Sequence, residues 1–341
     1  MNNEKYFLSV IVCCYNKEKT LEKTIDSIIA QTIFKHIEVI CINDCSTDSS
    51  LDILRLYAEF YENIKVISLS QNSSVFAARL EGIKQASAPY ISFVDPDDWI
   101  DPNYYLELLH EITNTKADII ITPSAFKHFG NGKTEDIKNT IHKRYMNTGI
   151  FDMNEKYFND VMTGDTWMTI WSMVFSANVI KHVLAMPPEY INFLEDNLIF
   201  TISLMNSSKI CHYETSASYH YYVGKDTEHL SQSCKIGTSY KYIIKVYTLL
   251  KLYCDSKPEK YGKYKQYLGK CSKKYYSRVV SVLYDILTHS SGFKMFFTED
   301  FQLRPNIATL TQNENNAKVF ESVKSLIRII KDINDELKTD N

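Results

Sequence analysis

From Leu8 to about Thr122 the chain alternates short, β-branched apolar runs with longer segments whose apolar residues recur at helical spacing. That alternation predicts βαβ units and a mostly parallel sheet flanked by helices. Leu8-Ser9-Val10-Ile11-Val12 reads as a buried strand, and Leu21, Ile25, Ile28 and Ile29 then line one side of a helix. Glu38 to Ile42 predicts a second strand. It is followed by a helix through Leu51, Ile53, Leu54 and Tyr57 that Ser46, Thr47 or Asp48 can cap. Ile64 to Ile67, Phe76 to Ala86 and Tyr90 to Val94 supply a third strand, a third helix and a fourth strand. A helix from about Tyr104 to Ile112 and a strand from Asp118 to Thr122 complete the series.

Between Pro123 and Asn147 the periodicity lapses into a polar stretch with Gly130, Asn131 and Gly132, which reads as a hairpin or mobile loop. Regular structure is expected again near Met153. Beyond Cys234 the pattern is helical and rich in Lys and Tyr, over Tyr240 to Tyr253, Lys263 to Leu287 and Val319 to Leu337. The expected organisation is one α/β domain over residues 1–235, made of halves 1–124 and 125–235, with a helical C-terminal extension over 236–341.

Composition changes this picture little. With 341 residues and 45% hydrophobic content the chain can bury a substantial core. Lys and Arg number 38 against 41 Asp and Glu, and the net charge of −3 argues against a nucleic-acid partner. The eight cysteines form no Cys-x-x-Cys pair, and Cys13, Cys14 and Cys41 lie inside apolar runs. They read as reduced core thiols of a cytoplasmic protein. Met1 to Lys5 lead straight into a strand with no signal-peptide pattern, and no apolar run approaches the about 20 residues of a membrane span. The expectation is a cytoplasmic protein, at most peripheral to a membrane.

Ligands of open α/β sheets sit beyond the carboxyl ends of the strands, so the residues that follow each strand are the ones to question. After the first strand comes Cys13-Cys14-Tyr15-Asn16-Lys17, which lacks the glycines of a dinucleotide-binding turn. Tyr15 can stack on a base or simply pack over the strand end. After the second strand comes Asn43-Asp44-Cys45-Ser46-Thr47-Asp48. Its last three residues suit plain helix caps, whereas Asp44 ends the strand and can accept hydrogen bonds from a base or ribose. The sharpest cluster, Val94-Asp95-Pro96-Asp97-Asp98-Trp99, follows the fourth strand. Three carboxylates so close repel one another unless a cation or donors compensate them. Hard oxygen ligands there suit Mg²⁺ or Mn²⁺ bridging to a diphosphate; the alternative is an acidic turn with a helix cap.

In order and spacing, VIVCCYN, VICINDCSTDSS, QNSSVFAARLEGI and YISFVDPDDWIDP resemble the nucleotide-binding half of family 2 glycosyltransferases, which have the GT-A fold. The resemblance is strong from Leu8 to Tyr105 and weak to about Ser233. It implies that residues 1–124 bind a nucleotide sugar and 125–235 an acceptor. Tyr15 and Asp44 would hold the uracil and ribose of a UDP-type donor, and Arg79 would lie near the diphosphate or sugar. Asp95 and Asp97 match the D-x-D motif, in which the first carboxylate faces the ribose and the second binds Mn²⁺ or Mg²⁺. Asp98 would act through water or cap the next helix. Two departures are Cys13, where the family usually has proline, and Cys45, where it usually has glycine; the second bears on the turn's conformation.

Phe193-Leu194-Glu195-Asp196-Asn197 resembles the Glu-Asp pair that opens a helix under the acceptor site and supplies the catalytic base. An ordinary acidic first turn is the alternative. Adjacent helical residues point roughly 100° apart, so one of the two addresses the reacting centre. By family position that is Asp196, with Glu195 beside it on the acceptor side. A helix start favours the ionised carboxylate. Trp171, within WMTIWSMVF, matches a position near the acceptor pocket, although a tryptophan among apolar residues is more often core. His212, His220 and His229 read as structural, with His229 the one candidate for a metal shell.

Lys257 to Arg278 carries eight basic residues interleaved with Tyr261, Tyr264, Tyr267, Tyr275 and Tyr276. It is either a solvated helical face or a contact with an anionic membrane leaflet. The implied activity is an inverting, metal-dependent hexosyl or N-acetylhexosaminyl transfer from a UDP-sugar to a glycan or lipid-linked acceptor in surface glycan biosynthesis. Two rivals share the fold. A sugar nucleotidyltransferase calls for a glycine-rich basic loop after the first strand, which Cys13 to Lys17 is not; a catalytically inactive nucleotide-sugar-binding or scaffold protein would bind nucleotide without transfer.

Overall fold

A computed structural model describes residues 5–137, 148–163, 169–223 and 232–271 of the chain, with 232–241 by backbone alone, and the backbone of 296–297 and 303–304. The helix expected over Val319 to Leu337, His229, and the basic residues Lys273, Lys274 and Arg278 lie outside the described residues.

The expected alternation forms. Strands β1 (Leu8–Cys14), β2 (Ile37–Asn43), β3 (Ile64–Ser68) and β4 (Tyr90–Phe93) are separated by helices α1 (Leu21–Ile29), α2 (Ser50–Phe60) and α3 (Val75–Gln85). There follow the short strand β5 (Trp99–Ile100), helix α4 (Tyr104–Thr115) and strands β6 (Ile119–Ile121), β7 (Ala125–Phe129), β8 (Thr134–Asp136) and β9 (Gly149–Asp152). Helix α5 (Glu155–Thr163), β10 (Met173–Ser176), helix α6 (Glu195–Met205), β11 (Lys209–His212), β12 (Tyr219–Val223) and helix α7 (Gln232–Ser256) come next.

The main sheet has eight strands in the order β3-β2-β1-β4-β10-β6-β11-β9. The pairs β1–β2, β1–β4, β2–β3 and β6–β11 are parallel, and β10 enters antiparallel between β4 and β6. All seven residues of β2 are buried, as expected of a strand covered on both faces. The period of two divides those residues between helical layers. Val10, Val12, Val39 and Cys41 share a core with Leu21, Ile25 and Ile28 of α1 and with Tyr104, Tyr105 and Leu108 of α4. Ile11, Ile40 and Ile42 face the opposite layer, with Phe76, Leu80 and Ile83 of α3 and Ile199 and Phe200 of α6. Gly82 lets α3 press onto β1: a Cβ there would stand 2.5 Å from Ile11 Cγ2.

Of a second sheet, β5-β12-β7-β8, only the β7–β8 hairpin was expected from the sequence. The polar stretch after Pro123 contributes β7 and β8 as an antiparallel hairpin, with Gly132 turning at φ +88°. The described part of the C-terminal region, up to residue 271, packs on the main core. Residue 235 falls inside α7, whose Ile243, Val246, Tyr247 and Leu250 join the residues of α6. From Asn197 to Met205 every residue of α6 is buried, so that helix is enclosed all round and only its acidic start reaches the site.

Candidate active site

The three polar clusters meet at the carboxyl ends of β1, β2 and β4. The loops after β1 and β2 are tied together side by side. Asn16 N–H donates to Ser46 Oγ (3.1 Å), Thr47 N–H to Asn16 Oδ1 (2.8 Å), and Glu18 N–H to Asp48 Oδ2 (3.1 Å). Asp48, one residue before the N-cap Ser49, also accepts from Ser50 N–H at the start of α2 (3.0 Å), whereas Ser46, Thr47 or Asp48 was expected as the cap itself. Cys45, at the family's glycine position, takes the left-handed conformation at φ +60°. The turn is thus kept without glycine, at a cost of roughly 1–2 kcal/mol for an L-residue.

Between these loops and the start of α3 lies a cavity of about 390 Å³ lined by Cys13, Tyr15, Asp44, Asn72, Ser74 and Tyr190, among others. Tyr15, among its lining residues, is 45% exposed. Asp44 lies in its wall, 4% exposed, and its two oxygens accept from the backbone N–H groups of Ser73 (2.7 Å) and Ser74 (3.1 Å). Asp44 therefore shapes the loop that opens α3 as well as facing the cavity. Ser74 sits at φ +89° and ψ +157°, a region nearly reserved for glycine, and is held there by Asp44 and by a hydrogen bond from Ile191 N–H to its Oγ (3.2 Å). Val75 N–H donates to Asn192 Oδ1 (3.1 Å), so the segment before α6 closes the cavity's far side. Ser74, Tyr190 and Asn192 were not foreseen. Their only sequence signals were a serine pair ahead of a helix and a polar break before the acidic pair.

Arg79 joins the turn after β4 to the start of α6. Its side chain is 4% exposed, and its guanidinium contacts Asp95 Oδ1 (3.0 Å), Glu195 Oε1 (2.8 Å) and Asp196 Oδ1. Burial opposes its charge, but the three carboxylates outweigh burial and raise its pKa further. Both acidic residues of α6 reach the same guanidinium nitrogen, so the expected divergence of neighbouring helical side chains does not separate them here. The reason is position: Leu194 takes the left-handed conformation at φ +63°, and Arg79 stands across the helix start where both can bend to it.

Burial also changes the expected ionisation of Asp196. It pushes the carboxyl up, Arg79 pulls it back, and Glu195 and Asp95 push it further, leaving it at about 7. Desolvation thus outweighs the helix terminus. Glu195 is raised as well, again first by burial.

The D-x-D turn divides its carboxylates among separate partners. Asp95 is bound to Arg79, and Asp97, 26% exposed, pairs with the Lys17 ammonium. Asp98 is fully buried, which corrects the roles expected of it. It accepts from Tyr219 Oη (2.7 Å) and Tyr222 N–H (2.8 Å), and a strand follows it where a capped helix was expected. Burial and the charges of Asp95 and Asp97 raise its pKa well above its ordinary value, and its two hydrogen bonds tie the turn to β12.

Trp171 stands behind this turn, 5% exposed and stacked on Tyr219 at 4.3 Å between ring centres. It supports the aspartates from within the core. His212 meets the Tyr157 hydroxyl (2.6 Å), and His220 lies between Asp101 and His128, at 2.9 Å from each. In the basic stretch Lys257, Lys260, Lys263 and Lys270 are exposed, but Tyr261 and Tyr264 are buried, so these two tyrosines face the core rather than a membrane. No helix among the described residues is long and apolar enough to cross a membrane.

This arrangement is that of GT-A-type α/β proteins. Residues 9–176 match the family described as Glycosyl transferase family 2, and this part of the chain belongs to that family. Over 226 residues it is 30% identical to the Poly(ribitol-phosphate) beta-glucosyltransferase of Bacillus spizizenii, an alignment covering 66% of this chain and 33% of the relative. It is 31% identical over 242 residues to the Minor teichoic acid biosynthesis protein GgaB of Bacillus subtilis, covering 70% and 26%. The chain therefore spans about a third or less of the length of these curated relatives. Among solved structures, S. aureus TarS 1-349 in complex with UDP-GlcNAc superposes with a TM-score of 0.61 at 18% identity, over 98% of this chain and 92% of that one.

Proposed function

We propose that this chain transfers one sugar from a UDP-sugar to an acceptor hydroxyl, inverting the anomeric configuration in a single displacement. The observation that carries this reading is the convergence of Asp95, Glu195 and Asp196 on Arg79, beside a cavity that Tyr15 and Asp44 line. Tyr15 would stack on the base and Asp44 meet the base or ribose. The UDP-GlcNAc complex of TarS supports a uridine nucleotide as the donor. Asp196 would take the acceptor's proton as that oxygen attacks the anomeric carbon. A carboxyl raised to about 7 is a stronger base than an ordinary aspartate, yet still ionised in part at neutral pH.

Among the described residues no group of three or more side chains is placed to hold a metal. Asp97 nevertheless suits Mg²⁺ or Mn²⁺, which commonly use one or two carboxylates and complete their shell with substrate phosphates and water, while Asp95 would face the ribose. Bound there, the ion would neutralise charge on the departing diphosphate. The acceptor would be a glycan or lipid-linked hydroxyl in cell-surface polymer synthesis, in keeping with the teichoic acid role in the name of GgaB. The enzyme would work at the cytoplasmic side of the membrane, its exposed lysines resting on anionic lipid. Co-sedimentation with phosphatidylglycerol vesicles should then weaken with salt and when Lys257, Lys263 and Lys270 become Gln.

The deciding experiment is calorimetry of UDP with Mn²⁺ or with EDTA, extended to a panel of nucleotide sugars by thermal stabilisation. UDP should bind tighter with Mn²⁺, and Asp97→Asn should lose most of that gain. Equal UDP affinity under both conditions in the wild type would overturn the metal-assisted reading. Nucleotide binding with no transfer to any acceptor would point to the scaffold alternative.

A further inference from the structure

The start of α1 is fastened along the D-x-D turn. Thr20 Oγ1 donates to Pro96 O (2.9 Å) and Thr24 Oγ1 to Asp98 O (2.7 Å). Lys17 N–H donates to Ser50 Oγ (2.8 Å), which fixes the backbone from which the lysine springs. Its ammonium is thereby delivered onto Asp97. Both carboxylates of the motif thus have a protein cation, but the two cations differ. Arg79, 4% exposed and shared with Glu195 and Asp196, cannot leave Asp95 without stranding buried charge. Lys17 is 34% exposed on a flexible four-carbon stem and can move at little cost.

We infer that Lys17 is an exchangeable counter-cation: it neutralises Asp97 before the donor arrives, then passes to the donor's diphosphate when a divalent ion takes its place. This rests on the nucleotide-sugar reading above. Charge balance gives the reason. A divalent ion binding alone must displace Lys17 from Asp97 and is then repelled by the ammonium tethered close by. A diphosphate arriving with the ion brings the negative charge that the displaced ammonium needs, and Tyr15, two residues before Lys17, places the nucleotide within the same loop. Lys17 therefore couples metal binding to nucleotide binding and disfavours loading of the metal alone.

The test uses the full chain, with free Mn²⁺ counted by electron paramagnetic resonance and nucleotide binding measured by calorimetry. Lys17→Gln should bind Mn²⁺ alone roughly threefold tighter or better, since the competing cation is gone. The same variant in saturating Mn²⁺ should bind UDP roughly tenfold weaker, while uridine affinity stays unchanged. Lys17→Arg should keep wild-type behaviour in both measurements. These opposed shifts separate a counter-cation from a residue that merely supports the loop, whose loss would weaken both. Wild-type UDP binding that depends on Mn²⁺, together with a Lys17→Gln variant unchanged or weaker toward Mn²⁺ alone, overturns the role of Lys17 and leaves the nucleotide-sugar reading standing. Absence of Mn²⁺-linked UDP binding in the wild type overturns the metal-assisted reading, and this inference with it.

Discussion

After β4, Asp95 and Asp97 stand on an open turn with side chains 30% and 26% exposed; across Arg79, Glu195 and Asp196 begin an enclosed helix with side chains 13% and 19% exposed. The two acidic clusters look alike in sequence and differ in what surrounds them. Residues on the open turn keep water and a mobile lysine within reach, which suits ligands that must be exchanged at every turnover. At the helix start, burial drives the carboxyl of Asp196 up to about 7 even against a neighbouring guanidinium. On the proposed reading, this difference in exposure would suit one cluster to charge exchange and the other to proton transfer, a distinction that counting acidic residues does not make.

The largest effect that tests this contrast belongs to Asp196→Asn, which keeps the shape and removes the basicity. Transfer should fall roughly 10²- to 10⁴-fold, the usual worth of a positioned general base. UDP affinity should change little. In the wild type, kcat/KM should rise through about pH 7 and level off above it, because the ionised form is the base. Stability moves the other way: a carboxyl whose folded pKa is raised contributes stability below its unfolded pKa and loses it as pH rises through about 7. Asp196→Asn should therefore flatten the fall in stability between the unfolded carboxyl's range and pH 7. Glu195→Gln is a partner measurement rather than a neutral control, since Glu195 shares the same guanidinium. Near wild-type transfer by Asp196→Asn with an inactive Glu195→Gln would move the base by one residue.

Arg79→Met removes the cation between the clusters. It should cost about 3–5 kcal/mol, as expected when buried carboxylates lose their partner. Urea unfolding reads this directly. The penalty should be smaller at pH 5 than at pH 8, because protonated carboxyls no longer need Arg79. An equal penalty at both would mean that Arg79 acts by packing against Phe93, whose ring centre lies 5.8 Å from its Cζ.

The same contrast accounts for what could be read in the sequence. Strands β1 to β4, helices α1 to α4 and the carboxylates at the strand ends follow local rules of periodicity and strand-end placement. Of the candidate residues, Tyr15 and Asp44 line one cavity, Arg79 gathers Asp95, Glu195 and Asp196, and Asp97 pairs with Lys17. What escaped the sequence depends on long-range pairing. The antiparallel entry of β10, the pairing of β12 with β5 and β7, and the burial of Asp98 against Tyr219 each join residues far apart in the chain. Glu38 is a similar case. It was read as part of a strand, yet it is a fully buried carboxylate held by Ser9 (2.6 Å), Ser87 N–H (2.6 Å) and Lys65 (2.9 Å).

The smallest effect probes the loop that resembles the family's glycine turn. Cys45 holds a left-handed φ of +60° where family members usually carry glycine, and its side chain is only partly buried. A Cβ in that region costs roughly 1–2 kcal/mol, whereas glycine adopts it freely. Glycine also loses more backbone entropy on folding, which offsets about 0.4–1 kcal/mol of the relief. The net expectation for Cys45→Gly is a gain of about 0.5–1 kcal/mol, read as a higher urea midpoint at unchanged slope. UDP affinity should be unaffected, because the turn already has the shape that glycine would allow. A loss of stability would mean that the thiol contributes packing not evident from its partial exposure. A gain in stability together with tighter UDP binding would mean instead that the left-handed turn is only partly populated in the free protein, so that the loop after β2, unlike the enclosed helix start, is ordered by the nucleotide itself.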